Sequence, residues 1–164
     1  MLLPGNVNNL AIMLATLANG GVEFVLVGGY AAVAHGVTMV TQDVDVCCRF
    51  TKGNLLRLQA VLAPFHPRHR MTPDKLPLDL TEELCSRLKN LCLETDLCVL
   101  DCLGEVKGVG GFAEVLDHSI EVEYPQGTFR VLDLITLIQA KEAMDRPHDR
   151  LALAQLRAIR ERNP

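Results

Sequence analysis

Two aspartates, Asp43 and Asp45, stand two apart in the segment Asp43-Val44-Asp45-Val46. Side chains alternate along a strand, so both carboxylates share one face while Val44 and Val46 face the other way and can bury. The two Cβ atoms then lie about 6.5–7 Å apart, and the carboxyl groups can converge on a divalent cation. Like charges on one face repel and are costly unless something positive neutralises them. Hard carboxylate oxygens suit Mg²⁺, which keeps waters and takes its other ligands from substrate phosphates. Upstream, the apolar run Phe24 to Val27 leads straight into Gly28 and Gly29. Without Cβ atoms, these glycines let a phosphate approach the backbone, and a helix after them offers free N–H groups. The Ala-rich stretch that follows, ending at Gly36, is long enough for about two helical turns. Taken singly, Asp-x-Asp is an ordinary solvated strand face and Gly-Gly an ordinary turn. In this order and spacing they point together to a metal-and-phosphate site.

A third acid stands out. Asp101 lies inside the apolar run Leu97 to Leu103. A carboxylate there loses hydration and needs a partner. Glu94 and Asp96 fall at a turn, where water can solvate them. Asp101 is therefore the better candidate for a third metal-site carboxylate.

The pattern of hydrophobic-Gly-Gly, short helix and Asp-x-Asp resembles the DNA polymerase β-like nucleotidyltransferase superfamily. It is most similar to small bacterial and archaeal members, the minimal nucleotidyltransferases and abortive-infection-type toxins. That superfamily places a third acid on a neighbouring strand, within a pattern like T-D-L-x-x-x-D, which matches Thr95 to Asp101. A second match lies near the end of the chain, where a helix ending in Lys141 is followed by Arg146-Pro147-His148-Asp149. The resemblance implies that Lys141 offsets the charge of nucleotide phosphates and that Asp149 supports or contacts the nucleotide. The residues alone equally allow Lys141 and Asp149 to pair with each other between adjacent helices. One departure is Met39, which occupies the place where relatives carry Arg in G-x-x-R-x-T-x-D.

The elements that must position these residues follow from periodicity and punctuation. Residues 7–18 read as a helix, with Leu10, Met13, Leu14 and Leu17 on one stripe. The strand opened by Asp43 runs to about Arg49, and Thr51 is a fair cap for a helix over 52–62. Pro64, Pro67, Pro73 and Pro77 argue against any regular element over 64–80. Arg68, His69, Arg70 and Lys75 make that stretch basic, either as a solvated loop or as a cleft rim that contacts phosphate or acceptor. A short helix over 79–88 follows, capped near Thr81. Residues 91–103 read as two strands or one bent strand. The glycine-rich stretch 104–111 lacks the spacing of a phosphate loop and reads as a flexible turn. Then come a short helix over 112–116 and a hairpin of Ser119–Tyr124 with Thr128–Leu132, turning at Pro125-Gln126-Gly127. A helix over 133–143, capped by Asp133, and another from about Pro147 to Arg162 complete the chain.

The 164 residues suit one domain, with a core over 22–132 and C-terminal helices over 133–162. Hydrophobic residues make up 49%, unlike a disordered chain, and the net charge of −4 argues against a broad basic surface for nucleic acid. The six cysteines show no zinc spacing and read as buried reduced thiols, which fits a reducing cytoplasm. The first residues lack the basic start of a signal peptide, and no apolar run is long enough to span a membrane. The expected fold is α/β, a mixed twisted sheet with flanking helices. The resemblance implies Mg²⁺-dependent transfer of a nucleoside monophosphate from a nucleoside triphosphate such as ATP to an acceptor hydroxyl on RNA, protein or a small molecule. One or two Mg²⁺ would sit on Asp43, Asp45 and Asp101, with Gly28, Gly29, Lys141 and Asp149 at the nucleotide. The chain is short for an acceptor domain of its own, so a partner protein or self-association is expected to help. A second reading is a non-catalytic nucleotide- or partner-binding module of the same fold, such as half of a toxin–antitoxin pair. A third, a metal-dependent hydrolase, uses the same carboxylates and differs in its product.

Overall fold

A computed structural model of the protein describes residues 4–125 and 127–164. Helix α1 (Pro4–Asn19) buries the expected stripe of Leu10, Met13, Leu14 and Leu17. Strand β1 (Phe24–Val27) is buried along its whole length and passes directly into α2 (Gly28–Ala34). Strand β2 (Asp43–Cys48) then carries the two aspartates. Helix α3 (Lys52–Leu62) starts where Thr51 accepts a hydrogen bond from the Asn54 backbone N–H. The Asn54 side chain is itself buried. It accepts from the Glu23 N–H and donates to the Glu23 and Arg49 carbonyls, tying the start of β1 and the end of β2 to α3.

After a 3-10 turn comes β3 (Arg68–His69), followed by the short α4 (Glu82–Cys85) capped by Thr81. Strands β4 (Asn90–Glu94) and β5 (Val99–Leu103) form a hairpin. Strands β6 (Glu105–Val106) and β7 (Gly110–Gly111) form a small ribbon before α5 (Phe112–Asp117). Strands β8 (Ser119–Tyr124) and β9 (Gly127–Leu132) form the second large hairpin, and Gln126 of its turn lies outside the described residues. Helix α6 (Leu134–Met144) is capped by Asp133, and α7 (Arg150–Arg162) follows a single 3-10 turn.

Seven strands make one mixed sheet in the order β3-β4-β5-β2-β1-β9-β8. β2 runs parallel to β5 and antiparallel to β1, and β1 runs parallel to β9. This is the mixed α/β fold expected from the sequence. Leu26, Val44, Val46, Leu100 and Cys102 fill one face of the central strands and are excluded from solvent. α1 packs on β9 and α3, while α2 packs on β1, β2 and α6. No helix among the described residues is long and apolar enough to cross a membrane. All six cysteines are free thiols, four of them buried.

Three stretches differ from expectation, one being the helix expected over 79–88, which is confined to Glu82–Cys85. The proline-rich 64–80 segment is not wholly irregular, because β3 pairs with β4 between Pro67 and the bend that follows. The prolines fall outside the two residues whose backbone meets β4, so they do not interrupt the ladder. The glycine-rich 104–111 stretch closes on itself as the β6–β7 ribbon instead of a plain turn. Its glycines tolerate the tight backbone, and Phe112 anchors the exit in the core.

Candidate active site

The site rests on one row across the sheet. In β2, Asp45 lies opposite Val27 of β1 on one side and Asp101 of β5 on the other. Asp101 in turn lies opposite Cys92 of β4. Residues in register on neighbouring strands point to the same face, so Asp45, Asp101 and Cys92 share one face with Asp43, two residues before Asp45. Buried Val44, Val46, Leu100 and Cys102 alternate with them and fix which way the acids point.

Asp45 is partly buried and faces both other acids. Burial, reinforced by Asp101 and then Asp43, pushes its carboxyl up to about 6, against the opposing pull of Arg146 and Lys141. Burial and the two neighbouring acids together disfavour its charged form.

Gly28 makes this crowding possible. It adopts φ 70°, and a Cβ there would overlap Asp45 Oδ2 and come within 2.9 Å of Asp45 Cβ. Only glycine satisfies both the left-handed backbone and the contact. Gly28→Ala is expected to cost at least about 2 kcal/mol and to push Asp45 off the row, read as a lower midpoint in urea denaturation. Gly29 is roomier, with Thr41 and the tip of Met39 the nearest groups to its open side.

Asp101 has the partner that its apolar surroundings demand. Arg70, just after β3, donates Nε to Asp101 Oδ1 at 3.1 Å and Nη2 to Oδ2 at 2.6 Å. Both carboxylate oxygens are engaged in a two-pronged ion pair. The basic loop thus spends its cations on acids of the sheet, since Arg68 and Lys75 both pair with Glu94.

A cleft of about 590 Å³ opens over the row. Gly28, Asp45, Cys92 and Asp101 line its sheet side, and Ala140, Lys141 and Arg146 line the helical side. A second cleft of about 350 Å³ borders Asp43 from the other direction, with Gln42, Arg68, Asp96 and Thr95 around it. Asp45 and Asp101 thus line the first cleft and Asp43 the second.

Lys141 and Asp149 do pair with each other. Lys141 Nζ donates to Asp149 Oδ1 at 3.3 Å, and Arg146 Nε donates to Oδ2 at 2.7 Å. Burial raises the Asp149 carboxyl, but Arg146 and Lys141 outweigh it and hold the group below the usual carboxylate range. Asp149 does not line the cleft; Lys141 and Arg146, which it holds, do.

The structure brings Asp45, Asp101, Gly28 and Lys141 to one cleft, with Asp43 on the same strand face as Asp45. The sequence reading offered Arg70 as part of a solvated loop or of a cleft rim and missed it as a partner of Asp101, and it gave Arg146 and Cys92 no role. Only the β3–β4 register, carried by two residues, brings Arg70 to this row.

Among the described residues, no three His, Cys, Asp or Glu side chains are arranged as a ready-made metal cage. The donor chemistry nevertheless suits a hard divalent ion. Asp43 and Asp45 offer carboxylate oxygens on one face, and the raised Asp45 carboxyl marks negative charge that a cation would relieve.

No family model matches the chain, and no curated protein matches it by sequence. Solved structures do match its fold. A Thermotoga maritima protein described as a nucleotidyltransferase aligns with a TM-score of 0.59 at 17% identity, covering 96% of each chain. The lincosamide antibiotic adenylyltransferase LnuA, lincomycin-bound, aligns with a TM-score of 0.62 at 15% identity, over 93% of this chain and 96% of that one. ANT(2'')-Ia in complex with adenylyl-2''-tobramycin aligns with a TM-score of 0.51 at 19% identity, over 96% and 99%. The chain has the fold of these nucleotidyltransferases, as its motifs led one to expect.

Proposed function

We propose that the protein transfers a nucleoside monophosphate from a nucleoside triphosphate to an acceptor hydroxyl. The observation that carries this reading is the row of Asp45 and Asp101, with Asp43 on the same face, facing Lys141 and Arg146 across one cleft. Acids on one wall and cations on the other suit a metal-bound triphosphate, whose phosphates need both. The nucleotide lies in the larger cleft, with its phosphates between Gly28 and Gly29 and the cationic wall. The acceptor approaches from the Asp43 side.

Asp43 and Asp45 would hold Mg²⁺. When bound, the ion neutralises charge on the phosphates and on the oxygens entering and leaving phosphorus. The acceptor oxygen forms its bond to the α-phosphorus as the bond to the β-phosphate bridge oxygen breaks, releasing pyrophosphate. The hydroxyl proton leaves to the carboxylates of the row. Lys141 and Arg146 meet the charge of the phosphates, and Asp149 orients both of them. Asp101, held by Arg70, is the third acid and keeps the row rigid.

The named acceptors of two structural neighbours are antibiotics. A small molecule with a free hydroxyl is accordingly the acceptor class we favour over RNA or protein.

One observation favours a second reading, a non-catalytic nucleotide- or partner-binding module. Met39, partly exposed beside Gly29, puts an apolar side chain where relatives of this fold carry Arg. Calorimetry with ATP, GTP, CTP and UTP, with and without Mg²⁺, on wild type and Asp45→Asn separates the two. Mg²⁺-dependent binding that is lost in the variant supports the transferase and names the donor. No binding of any nucleotide supports the module.

A further inference from the structure

Arg70 is the feature that the proposed reaction leaves unexplained. It comes from the segment after β3, at the edge of the sheet, and reaches over Cys92 to Asp101. Its backbone N–H also donates to the Cys92 carbonyl at 3.1 Å, which fixes where the side chain starts. The guanidinium grips both oxygens of Asp101, whose side chain is only 16% exposed.

Taking the proposed nucleotidyltransferase site as given, we infer that Arg70 stands in for a second metal ion and makes this a one-metal site on Asp43 and Asp45. The charge balance supports it. Three carboxylates face the cleft region, and Arg70 neutralises one of them, which leaves two negative charges for one divalent ion. An ion bridging Asp45 and Asp101 would have to take an oxygen that Arg70 already holds. It would also sit beside an arginine left without its partner, and like charges in a partly buried site repel strongly. Arg70 is thus a positioning residue, acting through Asp101, and its planar fork gives a fixed geometry that a mobile ion would not.

The test is a titration of the whole protein with Mn²⁺ alone, followed by electron paramagnetic resonance, which counts bound ions without any need for turnover. Wild type is expected to bind one Mn²⁺. Asp101→Asn is expected still to bind one, because Asp101 is not a ligand. Arg70→Ala is expected to gain a second ion, and adding Asp101→Asn to that variant is expected to remove it again. Two ions in wild type, or a tenfold or greater loss of Mn²⁺ affinity in the double variant Arg70→Ala/Asp101→Asn, would overturn the inference while leaving the proposed transferase standing. No Mn²⁺ bound by any form would overturn both. The wild-type count decides the matter even if Arg70→Ala fails to fold.

Discussion

Replacing Asp45 with Asn is expected to abolish nucleotidyl transfer while making the protein more stable near neutral pH. The loss follows from its place in the row, between Asp43 and Asp101, where it is the carboxylate that both the cation and the phosphates would feel most. Removing charge stabilisation of that kind costs several kcal/mol, so transfer should fall by about a thousandfold or more. The gain in stability follows from the same crowding. Burial and the neighbouring acids raise the Asp45 carboxyl from 3.8 to about 6, so ionising it in the folded protein costs about 2–3 kcal/mol more than in the unfolded chain. The sign is set by which state holds the proton. Between about pH 4 and 6 the folded protein keeps the Asp45 proton and the unfolded chain has lost it, so this group's contribution falls as pH rises. Asn carries no such penalty. Without divalent ions, the midpoint of Asp45→Asn should equal that of wild type near pH 4 and exceed it by about 4–10 °C above pH 6. Thermal melts across that range check it. A variant less stable than wild type at pH 7 would mean that Asp45 has a compensating partner.

Asp149→Ala is expected to be the most damaging single change to stability. The Lys141 side chain is 6% exposed and that of Asp149 7%, so the pair is buried. Cutting away the acid leaves a buried ammonium without its counter-charge, which costs about 3–5 kcal/mol. Arg146 can swing into water, since its side chain is 45% exposed, but Lys141 cannot follow without leaving the cleft wall. Urea denaturation measures the loss directly. A change below about 1 kcal/mol would place the pair in the class of solvent-screened surface bridges. If Lys141 meets phosphate as proposed, the triphosphate should restore part of the lost stability, because it supplies the missing negative charge.

These two residues also show how far the chain could be read before its structure. Asp43 and Asp45 were legible because a period of two forces them onto one face, and a strand with Val44 and Val46 opposite cannot hide them elsewhere. Asp101 was legible because a carboxylate in an apolar run needs a reason. Gly28 was legible as a site for close approach, although the group that approaches it in the structure is Asp45 itself. Lys141 and Asp149 were open to two accounts, and geometry joined them: the acid grips the lysine, and the lysine borders the cleft. Arg70 was not legible. Its partner is 31 residues away, and the contact depends on a two-residue strand between prolines that no propensity would select. Long-range pairing of this kind leaves no period in the local sequence.

The most direct measurement follows the α-phosphorus. The protein, Mg²⁺ and a nucleoside triphosphate labelled at the α-phosphate would be incubated with a pool of hydroxyl-bearing small molecules that includes cationic antibiotics. Transfer of the label to an acceptor, with release of pyrophosphate and dependence on Asp45, is the expected result. Label found only in free nucleoside monophosphate or diphosphate would instead identify a hydrolase using the same carboxylates. A triphosphate left intact with every acceptor would contradict the transferase reading.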